Sequence, residues 1–103
     1  MSREVHFEAE AQVELEEAML WYERRGDGLG DALLDAVDAA LLKVVEMPFS
    51  FPDVAGAPEV QRALVAGFPY GLVFVTSDDR ITVLAVSHAK RRPLYWRRRL
   101  ARQ

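Results

Sequence analysis

A single proline divides this chain into two stretches whose apolar residues follow different periods. Before Pro48, apolar side chains recur every three or four positions, the period of a helix lying on a core. After Pro58 they alternate or run continuously in segments of seven or eight residues, as strands do. A length of 103 residues leaves room for one core only, so both stretches must share it. That predicts a single α+β domain, residues 1–103, in which helices cover one face of a sheet.

Arg3 to Phe7 alternates, with Arg3, Val5 and Phe7 on one side and Glu4 and His6 on the other, and predicts a first strand. Ala11, Leu15, Ala18 and Tyr22 then mark the inner face of a helix over Ala9 to Arg25, with Glu10, Glu14 and Glu17 on another face. Gly26 to Gly28 break it, and Asp27 or Asp31 is placed to cap a second helix. In that helix Leu34, Val37, Leu41 and Val44 form the apolar stripe and Asp31, Asp35 and Asp38 the wet one, as far as Met47. The two make an αα-hairpin. PFSFPDVAGAP reads as a loop anchored by Phe49 and Phe51. Val60 to Ala66, Tyr70 to Thr76 and Arg80 to Ser87 read as an antiparallel meander, and Pro93 opens a short helix in which Trp96 and Leu100 dock. The expected order is β-α-α-β-β-β-α, a small antiparallel sheet against a helical hairpin.

Several function classes fall away at this point. With no cysteine there is no disulfide framework, thiolate metal site or cysteine nucleophile. The first ten residues carry three acids and an arginine, unlike a secretory signal, and the apolar runs are far too short to cross a bilayer. These features point to a cytoplasmic chain with no membrane partner. Gly28 and Gly30 lack the third glycine and the preceding strand of a nucleotide loop and read as a turn. The acidic rows read as the outer faces of helices, and with two histidines, one of them His6 on the polar side of its strand, no metal or other cofactor is expected.

The charge is unevenly divided. The net value is −3, yet residues 1–59 hold 14 acids against four bases, and residues 60–103 hold two acids against nine bases. Lys90, Arg91, Arg92, Arg97, Arg98, Arg99 and Arg102 lie within 13 positions, with Tyr95 and Trp96 among them. Rings among guanidinium groups suit contacts to phosphates and bases, and a solvated helix end is the plainer alternative. His88, just before the cluster, reads either as a partly buried structural histidine on the parity of Leu84 and Val86, or as a general acid or base.

Taken in order, AEAQVELEEAMLWYERR, LGDALLDAVDAALLKVVEMPFSFP, GFPYGLVFV and ITVLAVSHAKRRPLYWRRR resemble the RelE/ParE superfamily of toxins. The likeness is to its plasmid-stabilisation branch. It rests on Trp21 and Tyr22, Leu29 and Gly30, and Pro48, Phe51 and Pro52. It continues through Arg62, Phe68, Pro69 and Tyr70 to His88, Arg91, Pro93, Tyr95 and Trp96, and so spans nearly the whole chain.

The resemblance implies a prokaryotic, growth-inhibiting toxin of a type II toxin–antitoxin addiction module, neutralised by a cognate antitoxin from an adjacent gene. It implies one of two targets, DNA gyrase or messenger RNA on the ribosome. In a metal-independent nuclease, Arg62 and Arg91 would hold the scissile phosphate and His88 or Tyr95 would move the proton. Lys90, Arg91, Arg92, Trp96, Arg97, Arg98 and Arg99 would form the surface for target or antitoxin. Members similar to RelE carry lysines near the strand after the loop, whereas Phe49 to Gln61 here contains no base and has Asp53 and Glu59 instead. That departure favours gyrase poisoning by binding over messenger cleavage. A non-toxic nucleic-acid adaptor with the same basic patch is the reading from another class.

Overall fold

The computed structural model describes residues 3–103; Met1 and Ser2, part of the amino-terminal stretch read above, lie outside them. The elements are β1 (Glu4–Phe7), α1 (Ala9–Glu23), α2 (Leu29–Glu46), β2 (Asp53–Val54), β3 (Ala57–Leu64), β4 (Tyr70–Thr76), β5 (Arg80–His88) and α3 (Arg97–Ala101). A 3₁₀ turn at Pro48–Ser50 follows α2.

The hairpin forms as its spacing predicts. Ala11, Leu15 and Ala18 of α1 meet Leu33, Val37, Ala40 and Val44 of α2, while Leu34 and Leu41 are partly buried beside them. Its cap comes from an unexpected residue. Gly28 has φ 86°, a conformation that only glycine adopts cheaply, and this turn brings the first amides of α2 back to the end of α1. The Glu23 carboxylate accepts from Gly28 N–H at 3.0 Å and Gly30 N–H at 2.9 Å, in the role expected of Asp27 or Asp31. Those two amides hold the Glu23 carboxyl below its ordinary range.

The sheet has the order β1-β5-β4-β3-β2. β3, β4 and β5 form the expected antiparallel meander, but β1 runs parallel to β5, so the sheet is mixed rather than wholly antiparallel. After the helical hairpin β2 runs opposite to β1, and the three reversals from β2 to β5 leave β5 parallel to β1. The loop also carries more structure than expected, because Asp53–Val54 pairs with β3. Only one of its phenylalanines anchors it. Phe51 packs edge-on against Phe74 at 5.9 Å, whereas Phe49 is 70% exposed.

A bulge in β5 then decides which side chains face the hairpin. Phe74 pairs with Val83 and Val73 with Ala85, so Leu84 is the extra residue opposite β4. Leu84 and Ala85 both turn to the sheet face away from the hairpin, and Val86 returns to the hairpin face. His88 therefore keeps the parity of Val86 but loses that of Leu84. The far face is closed by the carboxy-terminal segment, whose Trp96, 3% exposed, packs with Ala57, Val60, Val73, Leu84 and Ala85. Leu94 reaches this cluster in the left-handed region, at φ 61°. That kink is why α3 starts at Arg97 and not at Pro93.

Candidate functional site

The carboxy-terminal segment crosses from one sheet face to the helical hairpin, and Glu14 of α1 receives it. Glu14 Oε1 accepts from Val86 N–H at 3.0 Å and from Arg99 Nη1 at 2.9 Å. Its Oε2 accepts from the Tyr95 hydroxyl at 2.9 Å and Arg99 Nη2 at 3.1 Å. Arg99 also donates to the Leu84 carbonyl at 3.0 Å, and only 13% of either charged side chain is exposed. A carboxylate filled by two guanidinium donors, a phenol and an amide is a rigid post. Arg91 stacks its guanidinium 3.8 Å above the centre of the Tyr95 ring. Burial, then the Glu14 charge, pushes the Tyr95 phenol above its ordinary value.

Two cavities flank this post. One, about 410 Å³, lies on the hairpin face among Glu17, Trp21, Tyr22, Tyr70, His88 and Arg91. The other, about 380 Å³, lies on the far face among Arg62, Ser87, His88, Arg91, Arg92 and Trp96. His88 and Arg91 line both. Arg62 extends from β3 across β4 at Gly71, where a Cβ would overlap its Nε, so any larger residue there would displace the arginine. The Arg62 Nε is buried without a hydrogen-bond partner beside Arg91 and Arg92. An unpaired guanidinium N–H among further cations suits an anion.

The residues expected to carry chemistry are thus only partly assembled. Arg62, His88 and Arg91 line one cavity, while Tyr95 stands behind it with its hydroxyl on Glu14. His88 Nδ1 accepts from the Lys90 amide at 3.0 Å, so the neutral ring carries its proton on Nε2 and offers no second lone pair. Its ring packs edge-on against Tyr70 at 5.1 Å. Among the binding candidates, Lys90, Arg92 and Arg98 are exposed and, among the described residues, have no acidic partner. Arg97 donates to the Gly56 carbonyl at 3.0 Å. Arg99, expected to be solvated, is held on Glu14, and Trp96 packs inside the core. Sequence reasoning missed Glu14, grouping it with the outer acids. Its position was the available signal, three residues after Ala11 and four before Ala18, between two buried neighbours. No three His, Asp or Glu side chains gather as a metal site among the described residues.

No protein-family model and no curated protein matches the chain. Among solved structures it is similar to a chain of the chromosomal ParDE TA system from P. aeruginosa, at 17% sequence identity and a TM-score of 0.58. The match covers 84% of this chain and 95% of that one. At this identity the likeness is one of fold, and the α+β arrangement described above is the fold shared. No helix among the described residues is long and apolar enough to cross a membrane.

Proposed function

We propose that the chain is the toxin of a type II toxin–antitoxin pair, neutralised by an antitoxin from an adjacent gene, and that it poisons DNA gyrase by binding. The fold shared with a chain of the ParDE system supports the toxin class. The commitment of the two proton-transfer candidates carries the choice of binding over cleavage. Tyr95 is tied to Glu14 and His88 Nδ1 to the Lys90 amide, so neither of these two offers a free base to the cavity that Arg62 and Arg91 line. Under this reading Lys90, Arg91, Arg92 and Arg98 contact the target.

One observation favours a second reading, a ribosome-dependent messenger nuclease. The buried, unpartnered Arg62 Nε fits a phosphate as well as a protein carboxylate. Inducible expression with and without the neighbouring gene separates the two, with DNA synthesis and amino-acid incorporation followed in one culture. An early stop in DNA synthesis with filamentous cells supports gyrase, and an early stop in translation transfers support to the nuclease. Unimpaired growth with folded protein present rejects both and leaves the adaptor.

A further inference from the structure

The hairpin-face cavity lies between α1 and the end of β5, and its volume of about 410 Å³ falls within the ~300–1,000 Å³ of small-ligand sites. Ala18 and Val86, both buried, give it an apolar floor. Trp21 and Tyr22 wall it from α1, and Tyr70 and His88 from the sheet. These rings meet edge-on in series, Trp21 with Tyr22 at 4.9 Å, Tyr22 with Tyr70 at 6.5 Å and Tyr70 with His88 at 5.1 Å. They brace one another as a continuous aromatic wall. Arg25 stacks 3.2 Å from the centre of the Trp21 ring without itself lining the cavity, so the indole is fixed from outside.

The polar groups along this wall are unspent. Among the described residues Glu17 has no ion pair, and no hydrogen bond engages the Tyr22 hydroxyl, the Tyr70 hydroxyl or His88 Nε2. Burial, then the Tyr22 phenol, raises Tyr70 above its ordinary value, so its hydroxyl remains a donor at neutral pH. Glu14, the other acid here, is already filled by Arg99, Tyr95 and Val86. The cavity is therefore bipolar, with a free carboxylate on α1 and Arg91 from the segment after β5. A lone organic cation suits the rings and Glu17, but Arg91 opposes it. A simple anion suits Arg91 and leaves the rings bare. A nucleotide answers both, with a flat base for the rings and a phosphate for Arg91 and the His88 Nε2–H. Among the common bases, guanine presents two in-plane donors, at N1 and N2, to a single carboxylate.

We propose that the hairpin-face cavity binds a guanine nucleotide, with the base on the aromatic wall and Glu17 and the phosphate on Arg91 and His88. The site does not depend on the toxin–antitoxin reading. Its guanine belongs either to a free mononucleotide or to a single strand, whose next phosphate would enter the far-face cavity that His88 and Arg91 also line.

The test titrates the full chain with guanosine monophosphate, followed by calorimetry and by indole fluorescence. Trp96 is buried in the far-face core, so quenching comes from Trp21 and disappears in Trp21→Phe. The expected Kd is on the order of 100 μM. Inosine monophosphate, which lacks the N2 amino group, binds about tenfold more weakly, and Glu17→Ala removes that preference. Arg91→Ala weakens guanosine monophosphate about tenfold, toward the affinity of guanosine. Both side chains are exposed, and circular dichroism checks that both variants fold. A 5′-phosphorylated dinucleotide beginning with guanine separates the sources: tighter binding than the mononucleotide assigns the site to a strand, and equal binding to the free nucleotide. Absence of saturable binding overturns the proposal. So does equal affinity for all four bases with amide shifts at Arg62 and Arg92 rather than at Glu17 and Tyr70, which reduces the ligand to an anion on the far face. Binding of arginine amide at Glu17 without binding of the nucleotide gives the cavity to a cationic side chain and overturns it as well.

Discussion

Lys90 and Arg92 are exposed to solvent, Arg92 on the far-face cavity, whereas Arg97, Arg99 and Arg102 reach back to the protein itself. Arg97 holds the turn at Gly56, Arg99 fills Glu14, and Arg102 donates to Glu10 at 2.7 Å. The two runs have nearly the same composition. Their difference lies in what precedes them: the first leaves β5 past its last pairing, and the second follows Trp96, whose burial lays α3 over the amino-terminal acids. A base held by a carboxylate near the core fixes structure, and a base over open solvent keeps its charge available to a partner. Lys90, Arg92 and Arg98 therefore form the outward cationic surface, with Arg91 held between it and the core by the Tyr95 ring and by Glu14 at 4.0 Å.

The contrast breaks most completely if the second run loses its anchor. Trp96→Ala empties the far-face core and costs about 4 kcal/mol in chemical denaturation, a large share of the stability of a small domain. α3 then detaches and its arginines become as free as Lys90 to Arg92. A loss below about 1 kcal/mol would mean that the Glu14 contacts alone hold the segment.

Glu14→Ala tests those contacts separately. It strands the Arg99 guanidinium, the Tyr95 hydroxyl and the Val86 amide together, and a loss of about 3 kcal/mol is expected. Glu17→Ala, at an exposed neighbour on the same helix, changes stability by no more than about 0.5 kcal/mol. Equal effects at the two positions would refute the distinction between a structural and a solvated acid on α1.

Tyr95→Phe keeps the ring and removes the donor to Glu14, at a cost of about 1 kcal/mol near neutral pH. The pH dependence sharpens this. Burial, then the Glu14 charge, raises the Tyr95 pKa in the folded chain, so its contribution is complete below the ordinary value of 10.0 and is lost as pH rises through the folded value. Denaturation midpoints above pH 10 fall in the native chain and fall less in Tyr95→Phe. Glu10 acts with the opposite sign. Its carboxyl is held low, first by the hydrogen bond from Arg102, so its contribution is present above the ordinary value of 4.5 and lost as pH falls through the folded one.

The fold was legible wherever the period of apolar residues reported burial. The inner face of α1, the meander of β3 to β5 and the docking of Trp96 all follow from spacing. The parallel pairing of β1 was not legible, because Glu4 to Phe7 alternates equally well beside a neighbour of either direction. The bulge at Leu84 was hidden by a continuous apolar run, where a shift of one residue changes the face of a side chain but not its hydropathy. At the site, the types of residue were readable and their pairing was not. Nothing near Arg99 in sequence marks Glu14, 85 positions away, as its partner.

The smallest effect on stability is expected where the effect on binding is clearest. Arg92→Ala and Arg98→Ala remove exposed charges with no acidic partner among the described residues, so the denaturation midpoint moves by less than about 0.5 kcal/mol each. Each charge gives the surface long-range attraction that salt screens within about 10 Å at 0.1 M. Association with the target should therefore slow in both variants, with a weaker dependence on salt. Arg99→Ala reverses the pattern, because its guanidinium is occupied by Glu14 and the Leu84 carbonyl. It costs stability first and leaves the salt dependence of association nearly unchanged while the chain is folded. If Arg92→Ala destabilises and Arg99→Ala flattens the salt dependence, the assignment of the two runs is inverted and the outward surface lies over α3.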